Sequence, residues 1–233
     1  MRLFRLFVLL MAAAWLTGCA SPQLPIALEE TLWNERDKTI GVAIVELPKP
    51  SVQLVGNQGL LDLAINTGLA AGLRAKVETW ELASFETIPQ QLVDDLTQRG
   101  YQAKALPPVK LENFKESSAK LGYAKRDFTP LREQQQVDKL ILVSMTVAGT
   151  MRSYYSIVPT SEPMSQVSGL TQVIDLADNR LAFYQAFAAT RAADGEWDEG
   201  PDYPNLTNAF YQALDESEQR VLAPFRPEML SAH

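Results

Sequence analysis

Thr39-Ile40-Gly41-Val42-Ala43-Ile44-Val45-Glu46-Leu47 is apolar on both of the faces that alternate along a strand, and five of its nine residues are β-branched. A run of this kind cannot leave one face in water, so it reads as a central strand covered on both sides. Pro48 and Pro50 end it, because proline removes a ladder donor. A second run of the same character lies at 137–148, carrying Leu140, Ile141, Leu142, Val143, Met145 and Val147. Residues 101–106 form a short strand cut off by Pro107-Pro108. Two more strands, 169–176 and 181–189, flank Ala177-Asp178-Asn179-Arg180, whose composition suits a hairpin turn.

The segments between these strands alternate with helical patterns. Thr87-Ile88-Pro89-Gln90 matches a capping box, with Thr87 as N-cap and Gln90 three residues on. Ile88, Leu92, Val93 and Leu96 then line one face, and Gly100 supplies the stop. Near the end of the chain Leu206, Ala209, Phe210, Ala213, Leu214, Ser217 and Val221 recur at helical spacing, with Asn205 as cap and Pro224 as terminator. One or two helices are expected within 109–136, and residues 149–167, with Tyr154, Tyr155, Pro159 and Pro163, read as a long loop. Strands and helices in this order predict an α/β fold: a single mixed sheet with helices packed against it.

Residues 56–76 stand apart. Leu60, Leu61, Leu63, Ala64, Ile65, Leu69, Ala70, Ala71 and Leu73 are interrupted only by Asp62, Asn66 and Thr67 among polar residues. The spacing of Gly68 and Gly72 suits close helix approach, and the stretch is too short to span a bilayer. It is expected to pack within the domain or between protomers, because Asp62 and Asn66 would be costly in lipid.

Of 233 residues 46% are hydrophobic and 21% charged, enough for one sizeable core and unlike a disordered chain. The net charge is −7, and it becomes −9 without Arg2 and Arg5, with 19 basic against 28 acidic residues. An acidic chain excludes nucleic acid as the expected partner and gives no electrostatic hold on anionic lipid.

The amino terminus is organised differently. Arg2 and Arg5 precede an apolar run from Leu6 to Leu16, the pattern of an export signal over residues 1–18. It closes on Leu16-Thr17-Gly18-Cys19, which resembles the lipobox of bacterial lipoproteins. The resemblance implies that Cys19, the only cysteine, is acylated and becomes the first residue of the mature chain, attaching the protein to a membrane through its lipid. Ala20, where an aspartate is absent, implies sorting to the periplasmic face of the outer membrane. A tether over residues 19–37, opening with Ser21-Pro22 and Pro25, leads into a single domain over 38–228.

Val137-Asp138-Lys139-Leu140-Ile141-Leu142-Val143 and the later Val173-Ile174-Asp175-Leu176-Ala177-Asp178-Asn179-Arg180-Leu181-Ala182-Phe183 look like a pattern recurring in certain periplasmic lipoproteins. That group includes the curli-export lipoprotein and the lipoprotein activators of penicillin-binding proteins. It shares an α/β fold similar to the anticodon-binding domain and the amino-terminal domain of the Tol translocation protein. The resemblance covers residues 38–223 in element order and implies such a fold here.

Chemistry is hard to place in this chain. The single histidine is His233, the last residue, which argues against Ser-His-Asp, Cys-His and histidine-metal sites. Neither a dinucleotide fingerprint nor a phosphate loop occurs. Asp94-Asp95 falls on the polar side of a helix. Asp194, Glu196 and Asp198 alternate in an acidic loop, yet Glu199 stands where an EF-hand needs glycine and Asn205 where it needs glutamate. That loop reads as a solvated turn, and no catalytic residue, cofactor or metal site is expected.

Aromatic residues on loops remain. Tyr154, Tyr155, Trp197 and Tyr203 are candidate partner contacts, since such side chains dominate interface hot spots, and folding back onto the sheet is the equal alternative. The expectation is a non-enzymatic lipoprotein that binds an envelope protein, with homo-oligomer contacts open at 56–76. A ring-forming export subunit and a hydrolase using scattered carboxylates are the alternatives. Export channels of the curli type need membrane-inserting hairpins with period-two alternation, and the proline-broken 149–167 segment lacks one.

Overall fold

The computed structural model describes residues 22–28, 30–117 and 120–226. The export signal, Cys19 and His233 lie outside these. The described chain forms a mixed α/β fold with a single sheet of seven strands, ordered β3-β1-β4-β6-β7, as its sequence predicts. Strands β1 (Thr39–Ile44) and β3 (Gln102–Ala105) run parallel to each other, and β1 runs parallel to β4 (Lys139–Tyr155). Strands β6 (Met164–Asp175) and β7 (Arg180–Ala192) complete an antiparallel meander with β4.

The double-sided burial inferred for the two leading strands is present. Ile40, Val42 and Ile44 of β1 join Ile141, Val143 and Met145 of β4 in the larger core. Helix α1 (Glu30–Asn34) precedes β1, and helices α4 (Ile88–Gln98) and α6 (Pro204–Leu222) cover that face through Ile88, Leu92, Leu96, Leu206, Phe210 and Leu214, which match the predicted stripes. On the opposite face Ala43, Leu140 and Leu142 meet Phe128, Leu131 and Val137 in a smaller core. The connector that supplies it is mostly irregular, with one short helix α5 (Leu131–Gln135) and a 3-10 turn at Leu111–Asn113.

Two predicted caps are replaced by other contacts. Thr87 follows a 3-10 turn (Phe85–Thr87) and has helical backbone angles, so its hydroxyl donates backward to the Ser84 carbonyl at 2.6 Å instead of capping α4. Asn205 sits inside α6, whose cap position is Tyr203 in the left-handed region, and its amide bonds the acidic loop instead.

The largest correction concerns residues 149–167. They are not a loop: β4 continues to Tyr155, turns through β5 (Val158–Pro159) and returns in β6. The continuation is paired on its other edge by β2 (Ser51–Asn57), parallel to 149–155. Gly149 makes this geometry accessible. Its φ is +134°, and a Cβ there would lie 2.0 Å from the Ser51 carbonyl oxygen, so only glycine lets β2 start against β4 at this point. Helix α6 covers the inner face of the hairpin: Ser165 and Ser217 hydroxyls donate to the carbonyls of Leu206 and Val167.

The residues that carried the family likeness are structural. Asp138 accepts the Thr39 amide at 3.1 Å and so ties β4 to the start of β1. Asn179, buried at φ +67° in the β6–β7 turn, accepts from the Phe128 amide at 3.0 Å and donates to the carbonyls of Ala124 and Arg126 at 3.2 and 2.8 Å. It thereby pins the irregular connector to the sheet. Asn179→Ala strips partners from three backbone groups, those at Phe128 and Ala124 buried, in a conformation that disfavours alanine, and is expected to destabilise the fold by about 2–4 kcal/mol in urea denaturation. An unchanged midpoint would show that the connector is held some other way.

Candidate functional site

Residues 56–76 fold into two helices after β2, namely α2 (Leu60–Leu69) and α3 (Ala71–Val77). Helix α3 packs inward through Leu73 and Val77, as expected of an apolar helix. Helix α2 does the opposite. The row facing the domain is Asp62, Asn66 and Ala70, spaced four apart, and Asn66 is completely buried. The apolar residues point away from the domain: Leu60 is 91% exposed, Leu61 74% and Leu69 75%, with Leu63 and Ile65 exposed as well. Burying a side chain of this kind is worth about 1.5–3 kcal/mol, so the arrangement forgoes a large stabilisation in the lone protomer.

Hydrogen bonds enforce this orientation. The Asn66 amide donates to the Ser156 carbonyl at 2.9 Å and to Gln58 Oε1 at 2.8 Å. Asp62 accepts the Gly59 amide at 3.0 Å at the start of the helix. Rotating α2 to bury its leucines would break the Asn66 bonds and strand a polar group.

Ser156 lies at the tip of the β4–β5 turn, so the Asn66 bond also sets α2 beside that tip. Alternation along β4 buries Tyr154 (5% exposed) and turns Tyr155 outward (65%), and Ile157 and Val158 are exposed next to it. With the five aliphatic residues of α2 they leave eight large apolar side chains exposed around the helix and the adjoining tip.

The acidic loop lies behind this surface. Trp197 and Tyr203 stack with ring centroids 6.1 Å apart at 12°, and the Arg152 guanidinium sits 4.8 Å from the Trp197 ring centre and 5.7 Å from that of Tyr154. Asn205 holds the loop through the Glu196 carbonyl at 3.0 Å and Glu199 Oε2 at 2.7 Å. Of the four aromatic residues singled out by sequence, Tyr154, Trp197 and Tyr203 thus face this internal cluster, and Tyr155 alone faces out. Ile157 and Val158 were not anticipated as surface residues. For the helix at 56–76 the sequence leaves packing within the domain or between protomers open, with one charge, Asp62, in residues 57–72.

Two open clefts of about 550 and 600 Å³ lie at the carboxyl ends of β1 and β3 and share Leu106 and Pro108. The Glu46 carboxylate of one and the Lys110 ammonium of the other pair at 3.0 Å, and that hydrogen bond raises the Lys110 pKa above its usual value. Asp127 accepts from the Thr129 amide and hydroxyl. Lys110, Glu46 and Asp127 are thus engaged with neighbours, and Lys115 and Glu86 are the other charged groups lining the clefts. Among the described residues no group of three or more His, Cys, Asp or Glu side chains is placed to hold a metal ion. No described helix is long and apolar enough to cross a membrane.

No family model and no curated protein matches the chain. Several solved structures resemble it distantly. Lipoprotein GNA1162 from Neisseria meningitidis aligns at 13% identity and TM-score 0.30, over 76% of this chain and 95% of that one. The PelC dodecamer from Paraburkholderia phytofirmans aligns at 10% and 0.32, over 88% and 96%. Protein XCC0632 from Xanthomonas campestris, of the DUF330 family model, aligns at 11% and 0.35, over 79% and 81%. Likeness at this level is confined to the outline of the fold and carries no argument about function.

Asn66→Ala removes both bonds that hold α2 against the tip. Hydrogen exchange followed by mass spectrometry is expected to show protection across 60–69 falling at least ten-fold, with β4 and β6 unchanged. Equal loss in the central strands would mean that Asn66 supports the whole fold and not the placement of α2 alone.

Proposed function

We propose that this protein is a lipid-anchored, non-enzymatic binding subunit of the bacterial envelope, held through Cys19 at the periplasmic face of the outer membrane. Its task is to dock onto another envelope protein and help assemble or regulate the complex to which that protein belongs. The observation that carries this reading is the outward apolar surface of α2 and the β4–β5 tip, locked open by Asn66. A surface kept apolar at the expense of monomer stability suits a partner that covers it. The lipobox sequence supports the anchor, which would raise the local concentration of this surface near a membrane-bound partner.

The absence of a catalytic signature in the sequence favours binding over hydrolysis. Cross-linking in the envelope tests this, with the full chain carrying Tyr155→Ala or Leu61→Asp, both at exposed positions. Loss of a discrete partner band in either variant is the expected result. Turnover of an envelope glycan or lipid by the purified protein through one essential carboxylate would reject the binding reading.

The anchor has its own test. Cys19→Ser is expected to abolish metabolic labelling with a palmitate analogue and to move the protein from the membrane to the soluble fraction. One acyl chain alone binds membranes only marginally, so stable attachment requires at least two. A wild-type protein that is soluble and unlabelled would overturn the acylation assignment.

A further inference from the structure

We infer that the apolar surface of α2 docks against the same surface of a second copy of this chain, forming a two-fold contact. This rests on the binding reading above and names the partner. Three features of the surface select a second copy.

The first is its shape. On the outer side of α2 the large residues Leu61, Ile65 and Leu69 form one row at four-residue spacing, beside a row that opens with Leu60 and continues in the small residues Ala64 and Gly68. A Cβ built on Gly68 meets nothing within 4 Å, so the small row is an open groove. A ridge next to a groove on one helix is complementary to itself. Rotated by a two-fold axis, the ridge of each copy enters the groove of the other, as in helix pairs whose four-residue rows interdigitate.

The second is charge. The chain carries −7 overall, so two copies repel over most of their surfaces, and an anionic lipid surface repels them too. Residues 57–72 hold the single carboxylate of Asp62, which is turned to the Gly59 amide. Like copies therefore meet here without opposing charges of one sign.

The third is where the chain enters. Gln23 Oε1 accepts from the Gly122 amide at 2.6 Å, and the Gly122 carbonyl accepts from Leu181, so the amino-terminal segment is tied beside the β6–β7 turn. Cys19 is three residues before Pro22, a reach of at most about 10 Å. The apolar surface lies at the other end of β4, whose 17 residues span about 50 Å. A bilayer holding Cys19 therefore engages the end opposite to α2, which leaves α2 available to a protein.

Site-directed disulfide cross-linking in cells tests this with the full chain. The wild type carries only Cys19, so it sets the background, and a dimer band there moves the experiment into a Cys19→Ser background. Ala64→Cys and Gly68→Cys lie in the groove, and Asp178→Cys lies in the distant β6–β7 turn. Under mild oxidation with copper phenanthroline, Ala64→Cys and Gly68→Cys are expected to give a disulfide-linked species of twice the monomer mass, and Asp178→Cys none. Adding Leu61→Asp with Leu69→Asp, both exposed and so compatible with an unchanged circular dichroism spectrum, should lower the dimer yield at least ten-fold. Monomer alone at both groove positions overturns the inference, as does a dimer whose yield ignores the aspartates. A cross-link from position 64 to a different protein overturns the second copy while leaving the binding role standing. Labelling of position 64 by an acyl-chain photoprobe in place of dimerisation would assign the surface to the bilayer and overturn both.

Discussion

The sheet depends on the long pairing of β4, interrupted only by an irregularity between Met145 and Val147 on its β6 edge and by the gap between β1 and β2 on the other. Its first five residues lie against β1, its last seven against β2, and β6 follows it along the other edge from Lys139 to Met151. A strand buried on both faces has no water to satisfy its backbone, so each amide and carbonyl must find a neighbouring strand. Where β1 ends, β2 has to take over, and Gly149 is the position at which the backbones come close enough to allow it. The same continuity carries Tyr155 and Ser156 far from the central sheet and creates the tip against which α2 rests.

The two faces of the sheet are stabilised by different means. On one, regular helices α4 and α6 bring whole stripes of aliphatic and aromatic residues to the sheet, and burial supplies the free energy. On the other, an irregular connector of few regular turns has to be fixed in place by specific polar contacts. Asn179 performs that role from inside the β6–β7 turn, and Asp138 does the same at the junction of β1 and β4. In both segments the polar residues Asp138 and Asn179 fasten backbone.

Helix α2 shows how one buried amide can decide what a surface offers. By composition the segment belongs in a core, and α3, its continuation, does enter one through Leu73 and Val77. Asn66 reverses the preference for α2, because its two hydrogen bonds exist only when the polar row faces the domain. The leucines are then left outward as a consequence, next to the exposed tip of β4. Arg152 and the stacked Trp197–Tyr203 pair brace the rear of the same region, so the surface is backed by an ordered layer.

The sequence by itself determined the fold class, the two doubly buried strands, the closing hairpin, and the inner stripes of α4 and α6. Each of these follows from a local period of two or 3.6 set by burial. It also showed an unusually apolar, nearly uncharged segment at 56–76, without saying which way that segment faces. Periodicity could not show that residues 149–155 remain a strand. Gly149, Thr150, Arg152 and Ser153 carry no apolar alternation, and they become a strand because β2 pairs all four along one edge, with β6 on the other edge as far as Met151. Nor could it show that Asn205 and Thr87 would bond elsewhere than at caps, since their partners are set by neighbouring loops and turns. The outward face of α2 is likewise a tertiary decision. It depends on Asn66 meeting the carbonyl of Ser156, a residue ninety positions away that the extended β4 alone brings within reach.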